Sequence, residues 1–319
     1  MTLSKSGNEI LDEWRINPKH LYVIEDSQRQ ESKNFFDKNR TLYRDLYKHP
    51  EKDAYTVAKD IIRNRIQRLK IKTILDVGCG AGTPMIEYLK LNYQIKGIDF
   101  SAKQLEVAKG ELKKNGFNPD LVTEADIENE LTLPKENFDC IISVGVFPHL
   151  VNSSKALVSF VKMLNEKGKL FIQFKNALFS MFSLNKYSYE FFTHELIDMD
   201  SLGLLQKDVD LFLRSKFSTQ TENFEFDVLS KYDNPLTISN LFEPLGLQID
   251  KIHFFHYHIA PPILENVHPK LFRKLGYSIE NSNDWRGYFL ASSFIVEASN
   301  YHRLQISRRT TRHFLKGVK

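Results

Sequence analysis

Residues 73–84 read TILDVGCGAGTP, and this stretch decides the fold class. An apolar run ends at Asp76, and three alternating glycines follow before Thr83 and Pro84. The apolar run predicts a buried strand, and Thr83 followed by Pro84 predicts an N-cap and the first residue of a helix. Glycines in such a bend let a ligand lie against main-chain atoms beside a helix N-terminus. The stretch therefore predicts a strand, a ligand-binding loop and a helix.

The segments that follow alternate between strand-like and helix-like patterns. In chain order we predict strand 73–77, a helix from Pro84, strand 94–99, helix 102–114, strands 120–124 and 138–144, helix 154–164, strand 169–175, helix 237–244, and strands 247–255 and 288–297. Ser101 and Gln104 predict a capping box, and Gly168 predicts a turn before strand 169–175. Such alternation predicts a parallel sheet with helices on both faces.

The chain divides into three parts on this interpretation. Residues 1–70 form an N-terminal helical cap that ends in an amphipathic helix at 53–69. Residues 71–299 form a doubly wound α/β core of seven mostly parallel strands. An insertion at 177–235, rich in Phe and Tyr, precedes the sixth strand and is expected to build a ligand pocket. Residues 300–319 form a basic tail.

Composition and charge exclude several classes of protein. The 319 residues are 42% hydrophobic and 26% charged, which is typical of a globular domain. The six basic residues of 301–319 subtracted from the net charge of +4 leave −2 for residues 1–300, so a chain-wide nucleic-acid surface is not indicated. Two cysteines are too few for a disulfide scaffold. With no secretory signal and no long apolar run, we expect a cytoplasmic protein that is not a membrane protein.

The spacing of the glycines separates two kinds of nucleotide loop. The dinucleotide fingerprint needs glycine at its sixth position, where this chain has Thr83. The pattern D-x-G-x-G-x-G instead resembles motif I of the class I S-adenosylmethionine-dependent methyltransferases. Further landmarks of that family follow in order: KGIDFS at 96–101, TEADIEN at 123–129, FDCIISVGVFPHL at 138–150 and FVKMLNEKGKLFIQ at 160–173.

The resemblance implies S-adenosylmethionine as cofactor and a set of residues to bind it. Asp99 would bind the ribose hydroxyls, for which an acceptor-only carboxylate is suited. Asp126 would receive the adenine amino group with Ile127 beside the ring, although Glu124 and Glu128 lie two residues away on either side. The predicted cofactor-binding residues are Asp76, Gly78, Cys79, Gly80, Gly82, Asp99, Phe100, Asp126, Ile127, Ser143 and Val144.

Candidate residues for chemistry and substrate binding are less sharply defined by the sequence. His149 follows the fourth strand and is either a general base or a loop histidine packed against helix 154–164. The spacing of His253, His256 and His258 does not match an assembled zinc site, so no metal is predicted, and His194 is a weaker candidate. The predicted substrate-binding residues are Tyr187, Tyr189, His256, His258, Trp285 and Arg286.

Three functional hypotheses remain at this stage. The first is methyl transfer to a polar small molecule, with oxygen of a sugar, nucleotide sugar or related metabolite as the acceptor. This choice follows from His149, the tyrosine-rich insertion and the lack of an Asn/Asp-Pro-Pro-aromatic sequence after the fourth strand. The second is an RNA or protein methyltransferase that uses the basic tail. The third is a cofactor-binding regulator without catalysis.

Overall fold

A computed structural model describes residues 26–38, 54–217, 230–265, 267–280 and 284–300. The basic tail beyond residue 300 and much of the predicted N-terminal cap lie outside these ranges. The division of the chain into cap, core and tail therefore stays a prediction.

Seven strands form one sheet in the described part of the chain. They are β1 Thr73–Val77, β2 Gln94–Asp99, β3 Val122–Glu124, β4 Phe138–Ser143, β5 Leu164–Lys175, β6 Leu247–Tyr257 and β7 Ala291–Asn300. Their order is β3-β2-β1-β4-β5-β7-β6, and β7 runs antiparallel to both of its neighbours while the other pairs are parallel. The predicted doubly wound, seven-stranded, mostly parallel sheet is confirmed.

The helices flank this sheet and fill its connections. They are α1 Asp26–Lys38, α2 Ala54–Arg68, α3 Thr83–Lys90, α4 Ala102–Lys114, α5 Ser153–Met163, α6 Ser180–Ser183, α7 Lys186–Phe191, α8 Gln206–Lys216, α9 Ser239–Phe242, α10 Pro262–Glu265, α11 Pro269–Tyr277 and α12 Gly287–Leu290. Short 3₁₀ segments include Pro119–Leu121, Glu130–Thr132, Phe147–His149, Ala177–Phe179, Met199–Leu205 and Glu243–Leu245, and one π-helical segment spans Phe192–Leu196. None of the described helices is long and apolar enough to cross a bilayer.

Each face of the sheet carries its own apolar core. Helices α2, α3 and α4 pack on one face, with Ile62, Met85 and Leu105 among their buried residues. Helices α5 and α9 pack on the other face, through residues such as Phe160 and Phe242. A sheet buried on both faces needs strands that are apolar on both sides, which the continuous runs in β1 and β4 supply. The polar ends of the strands are left for the ligand site.

A buried ion pair crosses from helix α2 to the far strands. Arg65 Nη2 and Nε lie 2.6 and 2.7 Å from the carboxylate oxygens of Glu297, and His253 Nε2 lies 2.9 Å from the same carboxylate. These contacts hold the pKa of Glu297 at about 2, against the opposing effect of burial. The pair fixes α2 against the edge of the sheet that carries β6 and β7.

Local sequence signals were wrong at three connections. Helix α3 begins at Thr83 itself, and Gly82 in left-handed conformation occupies the cap position without a side-chain bond. Ser101 does cap α4 by accepting from Gln104 N, but the Gln104 side chain donates to the Phe36 carbonyl instead of returning to Ser101. Gly168 does not end a loop: strand β5 already begins at Leu164, and extra residues bulge out between its pairings with Phe138 and Cys140.

The bounds of β3, β6 and β7 differ from the prediction. Strand β3 starts at Val122, after a 3₁₀ turn at Pro119–Leu121, and strand β6 extends to Tyr257. The segment predicted to open the last strand at 288 belongs instead to helix α12, and β7 starts at Ala291. Asn176 explains this boundary, because its side chain donates to the carbonyls of Tyr288 and Ala291 at 2.8 and 2.7 Å.

Candidate functional site

The glycine loop turns back on the end of β2. Gly78 N and Cys79 N both donate to the Ile98 carbonyl, at 2.8 and 3.1 Å, and this pairing bends the chain immediately after β1. Gly78 and Gly80 have φ values of 74° and 51°, which favour glycine. A Cβ at Gly78 would lie 2.1 Å from Val146 Cγ2, whereas a Cβ at Gly80 would meet no atom within 4 Å. The backbone at Gly80 therefore faces open space.

Asp99 ties this loop to the next one. Its Oδ2 accepts from Gly80 N and its Oδ1 accepts from Ser101 N, both at 2.9 Å. Burial raises the pKa of Asp99 to about 6, although the main-chain donors favour the charged form. Each carboxylate oxygen still has acceptor capacity beyond its one main-chain bond. An ionised Asp99 can thus accept from hydroxyl donors in front of the glycine loop.

Asp76 lies buried at the end of β1 behind the loop. Burial, followed by the negative charge of Asp99, raises its pKa to about 7. Asp76, Cys79 and Gly78 line a small pocket together with Lys59 and Tyr88. Burial also raises the pKa of the Cys79 thiol, which keeps it protonated and unreactive. Gly82 lines neither this pocket nor the cavity in front of the loop, and it is the residue before α3.

A cavity of about 590 Å³ opens in front of the glycine loop. Its volume lies in the range of roughly 300–1,000 Å³ that small-molecule sites occupy. Of the predicted cofactor-binding residues, the cavity wall contains Gly78, Gly80, Asp99, Phe100, Asp126, Ile127 and Val144. The structure thus brings together residues from the ends of β1, β2, β3 and β4, because parallel strands place their carboxyl ends at one edge of the sheet.

The acidic residues after β3 divide their contacts within this cavity wall. Asp126 Oδ1 accepts from Glu128 N at 2.9 Å, and Asp126 N binds Thr132 Oγ1. The carboxylate of Glu128 accepts from the main chain at Asn152, just before α5. Glu124 pairs with Lys33 at 2.9 Å. Glu124 thus bonds to helix α1 and Glu128 to the residue before α5, while Asp126 has bonds in its own turn beside the buried Ile127.

Helix α1 covers the mouth of the cavity. The Phe36 ring lies edge-on to Phe100 and to His149, with centroid distances of 6.0 and 5.4 Å. Asp37 on the same helix forms a short hydrogen bond with the Ser101 hydroxyl. The sequence predicted an N-terminal cap but did not single out Phe36. Its only sequence signal is a Phe-Phe pair on an otherwise charged helix.

The loop after β4 completes the wall. Val144, Gly145, Val146 and His149 line the cavity, and Gly145 N donates to Gln173 Oε1 at 2.6 Å. Ser143, although predicted to bind the cofactor, is fully buried, does not line the cavity, and its hydroxyl has no hydrogen-bond partner in the described structure. His149 ends the 3₁₀ segment Phe147–His149, and its imidazole ring contacts the Phe36 ring.

The predicted substrate-binding residues do not line this cavity. Tyr189 donates to Asp210 and accepts from Arg214. His256 and His258 contact each other at 4.7 Å and bind Ser292 and Glu265 respectively. Burial lowers the pKa of His256.

Trp285, Arg286 and Tyr187 also lie elsewhere. Trp285 is 71% exposed, and Arg286 pairs with Asp284 on the surface. The Tyr187 ring packs on the Tyr232 ring with a centroid distance of 5.5 Å. Tyr232 in turn lies beside Lys175 at the end of β5. His194 Nδ1 lies 3.0 Å from the Glu190 carbonyl oxygen and 3.3 Å from Thr193 Oγ1. No group of three or more His, Cys, Asp or Glu among the described residues is placed to hold a metal ion.

Sequence reasoning missed the residues around Lys175. Lys175 ends β5, donates to Ser230 Oγ and lies 5.3 Å from the centre of the Tyr232 ring. Burial lowers the pKa of Lys175. A lysine at the carboxyl end of a predicted core strand is a weak sequence signal for a functional residue. The sequence does not indicate that residues 230–232 lie beside it.

Comparison with known proteins agrees with this geometry. Residues 69–222 match a protein-family model described as a methyltransferase domain. With the sheet order and the glycine loop, this match shows that the chain carries a class I S-adenosylmethionine-dependent methyltransferase domain, whose methyl donor is S-adenosylmethionine. The cavity, the open backbone at Gly80 and the acceptor oxygens of Asp99 fit an adenosyl group.

Particular relatives are more distant. A ubiquinone biosynthesis O-methyltransferase from Pelagibacter ubique is 32% identical over 117 residues, which cover 36% of this chain and 48% of the relative. A protein of the same name from Actinobacillus pleuropneumoniae is 27% identical over 128 residues, covering 39% and 55%. The chain thus spans about half the length of these curated relatives. A solved S-adenosylmethionine-dependent methyltransferase from Clostridium acetobutylicum shares the fold, with a TM-score of 0.50 and 14% identity over 83% of this chain and 98% of that one.

Proposed function

We propose that this chain transfers a methyl group from S-adenosylmethionine to a hydroxyl of a polar small molecule, such as a sugar, a nucleotide sugar or a related metabolite. The observation that supports this proposal is a single cavity walled by the glycine loop, Asp99 and His149. A site for an adenosyl group and a candidate base thereby share one space.

In this proposal the cofactor is held by both main chain and side chains. Asp99 accepts from the ribose hydroxyls, and Gly80 leaves the space that the adenosyl group occupies. Ile127 and Asp126 line the same cavity, where Ile127 would pack on the adenine and Asp126 would accept from its amino group. The glycine loop would lie beside the amino-acid end of the cofactor, and Asp76 would support that loop from behind.

The chemistry divides between cofactor and protein. Bound S-adenosylmethionine supplies an electrophilic methyl group that needs no activation by the enzyme. The protein orients the acceptor, and such positioning contributes at most about 7–11 kcal/mol. The O–C bond forms as the methyl–sulfur bond breaks, leaving S-adenosylhomocysteine. His149 would take the proton from the acceptor hydroxyl, a role that adds roughly 10²–10⁴-fold. Phe36 covers His149 and excludes water from this step.

Oxygen is proposed as the acceptor atom for two reasons. A general base at His149 is needed for a hydroxyl of ordinary acidity but not for a neutral amine. The curated relatives are named as O-methyltransferases, which favours the same atom.

The proposal is tested with purified protein in two stages. Calorimetry with S-adenosylmethionine and with S-adenosylhomocysteine measures cofactor binding. Transfer of a labelled methyl group to the small molecules of a cell extract, followed by mass spectrometry, then identifies the acceptor. We expect binding and a labelled small molecule, and absence of binding would overturn the proposal. His149→Ala should lower turnover at least about a hundredfold with little change in cofactor affinity.

A second candidate function rests on the basic tail. The six positive charges of residues 301–319 favour RNA or an acidic protein as the acceptor in that case. Recovery of the methyl label in macromolecules would support this function. The labelling should then be lost on deletion of residues 301–319, and binding of the macromolecule should weaken steeply with added salt. Under the favoured proposal the deletion leaves turnover nearly unchanged.

A further inference from the structure

Strand β5 ends in a lysine, Lys175, at the edge of the sheet where the cavity opens. Gln173 and Lys175 leave the same face of β5, since side chains alternate along a strand. Gln173 Oε1 accepts from Gly145 N at 2.6 Å, and Gly145 lines the cavity. Lys175 is roughly 7 Å further along the strand toward its carboxyl end. Lys175 does not line the cavity itself and lies beyond Gln173, on the side of the insertion.

The described contacts of the Lys175 ammonium are a hydroxyl and an aromatic ring. Its Nζ lies 2.5 Å from Ser230 Oγ and 5.3 Å from the Tyr232 ring centre, and Tyr232 in turn packs on Tyr187. No carboxylate among the described residues forms an ion pair with this ammonium. Both side chains are half-buried, and this burial lowers the pKa of Lys175 and raises that of Tyr232. A partly desolvated cation without a counter-ion is unfavourable unless an anion joins it.

One short segment holds this lysine and the His149 loop together. Lys231 N donates to the Pro148 carbonyl at 2.8 Å, and Asp233 N donates to the Lys175 carbonyl at 2.9 Å. Residues 231–233 thus span from the residue before His149 to the end of β5. This segment therefore joins the loop that carries His149 to the strand end that carries Lys175.

We propose that Lys175, flanked by Tyr232 and Tyr187, binds a negatively charged group of the methyl acceptor. The acceptor is then an anionic metabolite, with a carboxylate or phosphate on the ammonium, a polar ring against the tyrosines and its hydroxyl toward His149. This inference rests on the proposed methyl transfer and specifies its substrate class. Lys175 is a specificity-determining residue in this scheme and takes no proton.

The charge of the product gives the first test. Wild-type protein is incubated with labelled S-adenosylmethionine and a protein-free extract of the cells that produce it, and the labelled products are separated by anion exchange at pH 7. We expect the label on a retained, anionic compound. Phosphatase treatment releases the label from the resin if the charge is a phosphate and leaves it bound if the charge is a carboxylate. A labelled product that is neutral overturns the inference.

Variants of Lys175 give the second test, with the extract fraction that carries the acceptor as the probe. Lys175→Met should raise the apparent KM for this fraction about tenfold or more, with kcat changed less than threefold, since a charged hydrogen bond is lost. Lys175→Arg should retain most of the affinity, because the guanidinium also binds carboxylate and phosphate. Lys169→Met is the matched control, since Lys169 lies at the other end of β5 in an ion pair with Asp250.

The outcomes separate this inference from the proposed function. If wild-type protein neither binds S-adenosylmethionine nor transfers label, the proposed function fails. If it does both, but Lys175→Met leaves KM unchanged, only the inference fails. Loss of kcat with an unchanged KM in both Lys175 variants would also overturn it, because that result assigns the lysine to another step. Cofactor affinity measured on each variant verifies that the fold is intact.

Discussion

A single methyl group added at Gly78 tests the architecture of the glycine loop. In Gly78→Ala the new Cβ lies 2.1 Å from Val146 Cγ2, which is far inside van der Waals contact. The backbone at this residue also has a φ of 74°, a conformation that costs an L-amino acid about 1–2 kcal/mol. Overpacking against Val146 adds about 1–3 kcal/mol. We therefore expect Gly78→Ala to lower the free energy of unfolding by about 2–5 kcal/mol.

Gly80 supplies the matched control. Its φ of 51° imposes a similar backbone cost, but a Cβ there meets no atom within 4 Å. Gly80→Ala should therefore lose only about 1–2 kcal/mol of stability. Its methyl group would instead enter the cavity, and we expect the affinity for S-adenosylmethionine to fall roughly tenfold or more. The two substitutions thus separate a defect in folding from a defect in binding.

Urea unfolding of four proteins isolates the steric part. Wild type, Gly78→Ala, Val146→Ala and the double variant form a cycle in which the clash is present only in Gly78→Ala. We expect a coupling free energy of about 1–3 kcal/mol, because Val146→Ala removes the atom that the new methyl meets. A coupling energy near zero would refute the packing of the β4 loop on the glycine loop. Equal stability losses for Gly78→Ala and Gly80→Ala would refute it as well.

Three further predictions concern the pH response, the covering helix and the buried ion pair. Because burial raises the pKa of Asp99 to about 6, calorimetric affinity for S-adenosylmethionine should rise between about pH 5 and 7 as the carboxylate ionises, and Asp99→Asn should flatten this dependence. Phe36→Ala removes two edge-to-face ring contacts, so we expect cofactor release in stopped-flow measurements to be about fivefold faster or more. An unchanged release rate would count against α1 as a cover of the cavity. Glu297→Gln should cost roughly 3–5 kcal/mol in urea unfolding, because Arg65 and His253 lose their buried carboxylate. The pKa of Glu297 is depressed to about 2, so its contribution is present above about pH 4.5 and lost as the pH falls toward 2, and the variant should lack this acid-dependent loss.

The sequence was most informative where a local rule has one physical solution. Alternating glycines after an apolar run can form few structures, and Gly78 and Gly80 do adopt positive φ at the end of β1. Asp99, Asp126 and His149 follow three different strands, and the structure places all three in one cavity wall. The sequence could predict their proximity because strands joined by right-handed crossovers are parallel and end at the same edge.

Sequence reasoning failed where partners are distant along the chain. Phe36 reaches His149 from a helix more than a hundred residues earlier, and no periodicity encodes that contact. Tyr189, Trp285 and Arg286 have the residue types of a binding site, but the structure gives them partners on the insertion or leaves them on the surface. Residue type alone does not determine position, because aromatic and charged side chains serve packing and solubility more often than binding.

The sequence by itself determined the class of fold and the cofactor loop, since both depend on short-range patterns: the period of apolar residues and the freedom of glycine at positive φ. Only the tertiary structure decided which distant side chains surround the cavity and the end of β5. The cover by Phe36, the burial that shifts the pKa values of Asp76 and Asp99, and the approach of Tyr232 to Lys175 each need two distant segments to meet. Desolvation is a property of the whole packed environment, and no local stretch of sequence carries it.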